Sequence, residues 1–148
     1  MQSIVIALLS FFIISCSTTV VDPYHEAEFE KIVNEFEETC DVKVRSSVMF
    51  VDELEGKAIG VCYMGRFAVF IDRLYWMTAS TPEERFTLIM HELGHCELFR
   101  PHTEEMKVFK IEGENHVMPK SILYPYVFPI PDYPDIKDYY MKELCFGD

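Results

Sequence analysis

Two histidines spaced four residues apart, His91 and His95, constrain this chain more than any other feature, because helix signals surround them. A helix start is predicted at Thr81, an N-cap that Glu84 completes as a capping box. Positions i and i+4 share one face of a helix, so the Nε2 atoms of both histidines can bind one metal ion. Glu92 lies beside them without being a ligand. The pattern therefore predicts a zinc site in which this glutamate takes a proton from an activated water.

The rest of this helix fits that prediction better than it fits the alternative, an ordinary amphipathic helix with solvated histidines. Apolar side chains gather on the face opposite the histidines: Phe86, Ile89 and Leu93. Gly94 costs about 1 kcal/mol relative to Ala in a helix interior, so we expect another backbone to approach closely there. Pro101 disfavours helical geometry in the residue before it, so the helix is predicted to end at about Phe99.

Length and charge limit the class of protein. A chain of 148 residues, 49% of them hydrophobic, indicates one domain with a real core, which we assign to residues 23–148. The net charge of −12 argues against a nucleic-acid partner, because neutralising phosphates requires a basic patch. We expect a monomer.

The N-terminal segment indicates export. Residues 3–15 form an uncharged apolar run that is too short to span a bilayer and is typical of a signal peptide, which we assign to residues 1–15. The end of this run resembles the lipobox of bacterial lipoproteins, which predicts lipidation of Cys16 and a tether over residues 16–22. The first three residues carry no Lys or Arg, so an uncleaved anchor or a signal without lipid is the alternative.

The remaining cysteines are an even set: Cys40, Cys62, Cys96 and Cys145. In an oxidising compartment they predict two disulfides, with three connectivities open. Thiolate ligation of zinc is the rival interpretation, but Cys96 is predicted to point to the core, away from His91. We favour the pairs Cys62 with Cys96 and Cys40 with Cys145.

The order of the elements predicts an α+β fold. Apolar residues at helical spacing predict a first helix over residues 23–38, and three β-rich runs at 48–51, 58–63 and 67–71 predict antiparallel hairpins. A small antiparallel or mixed sheet would then pack on this helix and on the helix of the histidines. Trp76 is predicted to pack under the latter helix. An edge strand can bind an extended peptide, although the sequence does not say which strand is the edge.

A longer pattern resembles a known family. Residues 91–102 are HELGHCELFRPH, and residues 119–125 are PKSILYP. They are similar to metzincin-type zinc peptidases, closest to small bacterial peptidase-like proteins with HELGHCxLGRxH followed by PxSIM, over residues 59–144. The resemblance implies a zincin-like fold, His102 as the third zinc ligand, and a turn under the metal in which Leu123 takes the place of a methionine.

The chain departs from that family in two further respects. The usual metzincin pattern places a glycine and a histidine where this chain has Leu98 and Pro101, and His102 comes one residue later. Phe99 replaces a glycine of the narrower bacterial group. A phenylalanine at positive φ is strained, so either strain or a different course of the turn is expected there.

Other residues compete for roles at the site. Glu112, Glu114 or His116 would be the third ligand if His102 is not. Tyr124 and Tyr126 follow the predicted turn, where a tyrosine hydroxyl can stabilise a tetrahedral intermediate; aromatic packing is the alternative.

These patterns together predict a zinc metallopeptidase. It would be a hydrolase of the bacterial cell envelope, lipid-anchored on the periplasmic or outer-membrane face, that cleaves peptide or protein substrates with Glu92 as general base. The alternative is a catalytically inactive zinc-binding lipoprotein that serves as a binding or structural module. A lipoprotein with incidental histidines is the third hypothesis.

Overall fold

The structure, a computed structural model, describes residues 23–147, with side chains from residue 27 onward. The predicted signal peptide at residues 1–15, the lipidation site Cys16 and the tether at residues 16–22 lie outside the described residues. None of the described helices is long and apolar enough to cross a lipid bilayer.

The described chain folds into helices and two small sheets, which confirms the predicted α+β class. In chain order the elements are α1 (Pro23–Cys40), β1 (Ser47–Val51), β2 (Gly60–Tyr63), β3 (Ala68–Asp72), α2 (Arg73–Thr78), α3 (Pro82–Leu98), β4 (Met106–Ile111), β5 (Glu114–Pro119) and α4 (Pro134–Phe146). The predicted first helix is present and is two residues longer at its C-terminal end.

The first sheet is mixed, with strand order β1-β3-β2. Strands β2 and β3 are antiparallel and are joined by a short 3₁₀ turn at Met64–Arg66. Strand β1 is parallel to β3, in register from Ser47 opposite Ala68 to Val51 opposite Asp72. The predicted antiparallel hairpin is therefore confirmed for β2 and β3 and is wrong for β1, and of the two kinds of sheet that were predicted the first sheet is the mixed one. Strand β3 therefore lies between β1 and β2, although it follows both in the sequence. Strand β2 is one edge of this sheet and β1 is the other.

An aromatic cluster joins α1, β1 and α2. Trp76 is fully buried, with its ring centroid 4.9 Å from that of Phe29 and 5.6 Å from that of Phe50. The guanidinium of Arg85 on α3 lies 5.1 Å from the Trp76 ring, so the tryptophan does pack beside the histidine helix. It belongs to α2, a helix that the sequence did not predict.

Helix α3 begins and ends where its sequence signals predict. The Thr81 hydroxyl accepts from the Glu84 N–H at 3.2 Å, and the Glu84 carboxylate accepts from the Thr81 N–H at 2.8 Å, which completes the capping box. The approach to Gly94 is by side chains, and the prediction of a second backbone there was wrong. A Cβ on Gly94 would lie 2.8 Å from Leu144 Cδ1 and 2.9 Å from Leu123 Cδ2. Because residue 94 is glycine, these two core leucines can pack directly against the backbone of the helix.

Two disulfides tie the elements together, in the pairing that the sequence analysis favoured. Cys40–Cys145 joins α1 to α4, and Cys62–Cys96 joins β2 to α3. Disulfides persist in oxidising compartments, so they indicate an exported environment.

Loss of the Cys40–Cys145 bridge is expected to destabilise the fold strongly. The two cysteines are 105 residues apart, and in the chain-entropy description a loop of that length corresponds to about 4.7 kcal/mol of unfolding free energy. The double variant Cys40→Ala/Cys145→Ala should show this loss in denaturant titration. The matched double variant at Cys62 and Cys96, 34 residues apart, should lose about 3.8 kcal/mol. A midpoint of denaturant unfolding equal to that of the wild-type protein, in either variant, would contradict this expectation.

Candidate metal centre

The structure brings together the three histidines that the sequence proposed as ligands. His91 and His95 lie one turn apart on α3, and His102 comes from the segment that follows this helix. The Nε2 atom of His91 lies 3.0 Å from that of His95 and 3.0 Å from that of His102. One ligand atom of each of the three lies within 4.8 Å of the others, so the cluster can hold a metal ion.

The outer nitrogens of two rings are bound to main-chain carbonyls. His91 Nδ1–H donates to the Ile122 carbonyl at 2.8 Å, and His95 Nδ1–H donates to the Arg100 carbonyl at 2.6 Å. A carbonyl only accepts, so these bonds require the proton on Nδ1 and leave a lone pair on Nε2. The sequence did not identify these partners, because main-chain acceptors leave no mark in the residue types.

The donor set therefore fits a cation. The two bare Nε2 lone pairs of His91 and His95 face each other at 3.0 Å, where they repel unless a positive charge lies between them. Two ligands about 2.0–2.1 Å from a tetrahedral ion lie about 3.3 Å apart, close to what the rings already show. An increase of about 0.3 Å in the distance between the two Nε2 atoms would give the spacing of two ligands on a tetrahedral ion.

Burial keeps both helix histidines neutral, as a ligand must be. His91 is 5% exposed, and its burial lowers its pKa to about 4, against the opposing effect of the hydrogen bond to Ile122. Burial also lowers the pKa of His95, again opposed by the bond to its carbonyl partner. Neither ring needs to lose a proton at neutral pH before it binds a cation.

Glu92 is a buried carboxyl group beside the histidines. Burial raises its pKa to about 8, and the Cys62 N–H, which donates to the carboxylate, acts in the opposite direction. A cation held by the three imidazoles would also lower this pKa, since it favours the charged form. A Cβ on Gly60 would lie 2.9 Å from Glu92 Oε1, so the carboxylate has its place only because residue 60 is glycine.

The Cys62–Cys96 bridge holds the strand that contacts this glutamate. Cys96 lies one helical turn after Glu92 on α3, and its partner Cys62 supplies the N–H that the carboxylate accepts. The disulfide therefore fixes the register between β2 and α3 at the site.

A tight turn at residues 121–124 lies against the histidine helix. Its Ile122 carbonyl accepts from the first histidine, and Leu123 is fully buried, with Cδ2 2.9 Å from the position that a Cβ on Gly94 would take. The Leu123 carbonyl accepts from the Thr103 N–H at 2.9 Å, next to the third histidine. Leu123 is therefore a core residue beside Gly94, and the turn connects the first and third histidines. The place of Leu123 under a bound metal stays a prediction.

Phe99 has a left-handed backbone conformation. It ends α3 with φ 54° and ψ 30°, in the left-handed region, and its N–H donates to the Gly94 carbonyl. Its side chain is 59% exposed and lines the cleft of the histidines. The positive φ that the sequence analysis considered for this phenylalanine is therefore present.

Phe99→Gly is expected to stabilise the fold. Relief of left-handed strain is worth about 1–2 kcal/mol, and the greater freedom of glycine in the unfolded chain offsets about 0.5–1 kcal/mol of it. A net gain of about 0.5–1 kcal/mol should raise the temperature of thermal unfolding. Phe99→Ala removes the ring but keeps the Cβ, so it should show no such gain. Equal unfolding temperatures for the two variants would show that the backbone is not strained.

The three residues that the sequence offered as alternatives to His102 do not lie in the histidine cluster. Glu112, Glu114 and His116 are exposed on the β4–β5 hairpin and lie outside the histidine cluster. Glu112 accepts instead from the Tyr133 hydroxyl at 3.1 Å.

The two tyrosines after the turn differ in position. Tyr126 is 75% exposed and lines the cleft, whereas Tyr124 is half-buried and is not among the lining residues. Their ring centroids are 6.1 Å apart. The suggested catalytic role of either tyrosine stays a prediction.

The site opens into a cleft of about 840 Å³. Strand β2 and the residues before it form one wall, and α3 with its histidines and Glu92 forms another. The exposed residues of its lining are Lys57, Ala58, Met64, Phe99, Pro101, His102 and Tyr126.

Neither a model of a known protein family, nor a curated protein, nor a solved structure matches this chain. The resemblance of residues 91–125 to metzincin-type peptidases therefore rests on the motif residues alone. What the chain does has to be inferred from the chemistry of the site.

Proposed function

We propose that this protein is a zinc-dependent endopeptidase in which His91, His95 and His102 bind the metal and Glu92 is the general base. The observation that carries the proposal is the convergence of three Nε2 atoms beside a buried carboxylate in an open cleft. Three imidazoles that leave a coordination position open are a ligand set of catalytic zinc sites. Structural zinc sites, in contrast, are closed by four protein ligands.

Each residue has a part in peptide hydrolysis. Zinc, when bound, supplies a Lewis acid that polarises the scissile carbonyl and acidifies water. Glu92 accepts the proton of the attacking water and passes it to the amine nitrogen that leaves. The Cys62 N–H holds the Glu92 carboxylate in place during this transfer. The hydrogen bonds from His91 to Ile122 and from His95 to Arg100 hold both rings with Nε2 turned inward.

The edge of β2 supports a peptide as the substrate. Asp72 N–H donates to the Ile59 carbonyl at 2.9 Å, so the main-chain groups of Ile59 point toward β3. Because successive residues of a strand alternate in direction, those of Gly60 and Cys62 point to the opposite edge, beside Glu92. The Cys62 N–H of that edge already binds Glu92, so an extended peptide would pair with the main-chain groups of Gly60 and with the Cys62 carbonyl and bring its backbone across the histidines.

The expected location follows from the N-terminal pattern and the disulfides. We infer that the protein is a lipoprotein of the bacterial cell envelope, held through a lipidated Cys16. The two disulfides support an oxidising compartment, and the apolar run of residues 3–15 supports export.

A peptide-cleavage assay tests the proposal. The purified protein should cleave members of a broad peptide library, stop when a chelator is added and recover when zinc is restored; mass spectrometry identifies the new termini. Zinc-replete protein that cleaves no member of the library would contradict the peptidase and favour the alternative, a zinc-binding module without catalysis.

A further inference from the structure

Arg100 connects the histidine cluster to a distant helix. Its main-chain carbonyl accepts from His95 Nδ1–H at 2.6 Å. Its guanidinium reaches the C-terminal end of α4, where Nη1 donates to the carbonyls of Glu143 and Leu144, the latter at 2.8 Å. Nη2 donates to Glu143 Oε1 at 2.6 Å. One residue therefore holds a ligand with its backbone and a separate helix with its side chain.

The anchor on α4 is itself fixed. Glu143 is 5% exposed, and its charge is paired with Arg100 in this buried setting. The next residue but one, Cys145, is bonded to Cys40 of α1. The end of α4 is therefore held to α1 by a covalent bond that does not involve the loop after α3.

Arg100 lies between two of the histidines in the sequence, so its bonds to α4 affect the placement of both. It lies between His95 and His102, with only Pro101 before the third histidine. The orientation of the Arg100 backbone determines where its carbonyl lies, which is the acceptor for His95. It also determines the direction in which the chain continues to His102. Displacement of this backbone would remove the acceptor that keeps the His95 proton on Nδ1.

We propose that Arg100, clamped by Glu143 and the last carbonyls of α4, is a positioning residue that holds His95 in its metal-binding tautomer and orientation. The proposal rests on the metal site of the proposed function, and it adds a residue that acts through His95 and is not itself a metal ligand. Lysine cannot replace it, because an ammonium group lacks the planar fork that reaches a carboxylate and two carbonyls together. Without the clamp, the His95 proton can move to Nε2, which then no longer binds a cation.

Arg85 provides a matched control. It lies on the same helix as His95, and its guanidinium also makes several bonds, to Ser80 Oγ at 2.9 Å, to the Trp76 carbonyl at 2.8 Å and to Glu28 at 3.3 Å. Its side chain is about as buried as that of Arg100, 19% exposed against 27%. It has no contact with a histidine of the cluster. Arg85→Lys and Arg100→Lys should therefore both lose stability, but only the second should change the metal site.

The test compares the zinc affinity of the wild-type protein, Arg100→Lys and Arg85→Lys by competition with a chromophoric chelator. Loss of an outer partner of a metal ligand weakens metal binding about 10- to 100-fold, and we expect a loss of that size for Arg100→Lys alone. The visible spectrum of the cobalt-substituted protein should change in the same variant. Equal affinities and spectra for the two lysine variants would overturn the positioning role.

A second readout does not need the metal. Heteronuclear NMR of the imidazole nitrogens in metal-free protein should show one His95 tautomer, with the proton on Nδ1, in the wild type and in Arg85→Lys. Arg100→Lys should show both tautomers. An unchanged single tautomer would overturn the proposal even if zinc affinity fell.

Two further outcomes separate this proposal from the proposed function. Protein that binds zinc but cleaves no peptide contradicts the peptidase and leaves the comparison of zinc affinities fully informative. Wild-type protein that binds no zinc overturns both. If Arg100→Lys does not fold, Glu143→Gln keeps the shape of the partner, removes its charge and should weaken zinc binding in the same direction; an unchanged affinity in Glu143→Gln would overturn the clamp.

Discussion

Glu92→Gln is expected to keep the fold and the metal while turnover falls about 10²- to 10⁴-fold, the range for loss of a general acid or base. Glutamine has nearly the shape of glutamate, so the Cys62 N–H keeps an acceptor and Leu88 and Gly60 keep their neighbour. It cannot accept the proton of water. Because the same carboxylate would also protonate the leaving amine, we expect the loss in kcat to reach the upper end of that range.

Glu97→Gln is the control for this result. Glu97 is a second buried carboxylate of α3, 9% exposed, and it accepts from the N–H groups of Arg45 and Ser46 at 3.1 and 2.8 Å, outside the cleft. Its glutamine variant should lose stability and keep its kcat. Activity of Glu92→Gln equal to that of the wild type, with zinc bound in both, would refute the assignment of the base.

Removal of any one histidine of the cluster is expected to weaken zinc binding by more than the 10- to 100-fold that loss of an outer partner costs, because a direct ligand is lost. His91→Ala, His95→Ala and His102→Ala should each show this loss in chelator competition, since one ligand atom of each histidine belongs to the same cluster. His116→Ala is the control, because His116 is exposed on β5 and outside the cluster. Unchanged affinity in His102→Ala would show that the third ligand is another group.

Local signals account for the parts of the site that could be predicted. The capping box at Thr81 and Glu84, the four-residue spacing of the histidines and Pro101 all act within one helix or its ends, so the sequence alone predicted α3 correctly. The core-facing direction of Cys96 also followed from its spacing from His91 on α3. The pairing of the cysteines did not follow from that spacing, and the favoured pairs are confirmed only by the structure.

Non-local contacts account for what was missed. The parallel pairing of β1 with β3 depends on how the chain passes between strands, which alternation of residue types does not encode. The β4–β5 hairpin is exposed on most of both strands, and so it lacks the apolar alternation by which a strand is found. The carbonyls of Ile122 and Arg100 accept from the histidines, but a main-chain carbonyl is present in every residue and so cannot be recognised from the residue type. The role of Gly60 depends on the packing of β2 against Glu92, which is a contact between distant parts of the sequence.

The metal content of the purified protein tests the central claim most directly. After equilibration with a small excess of zinc and removal of the unbound ion, elemental analysis of the wild-type protein should give one zinc ion per chain. The triple variant His91→Ala/His95→Ala/His102→Ala, folded as judged by its circular dichroism, should give none. Wild-type protein without zinc, or a triple variant that retains it, would contradict a metal centre at these three histidines.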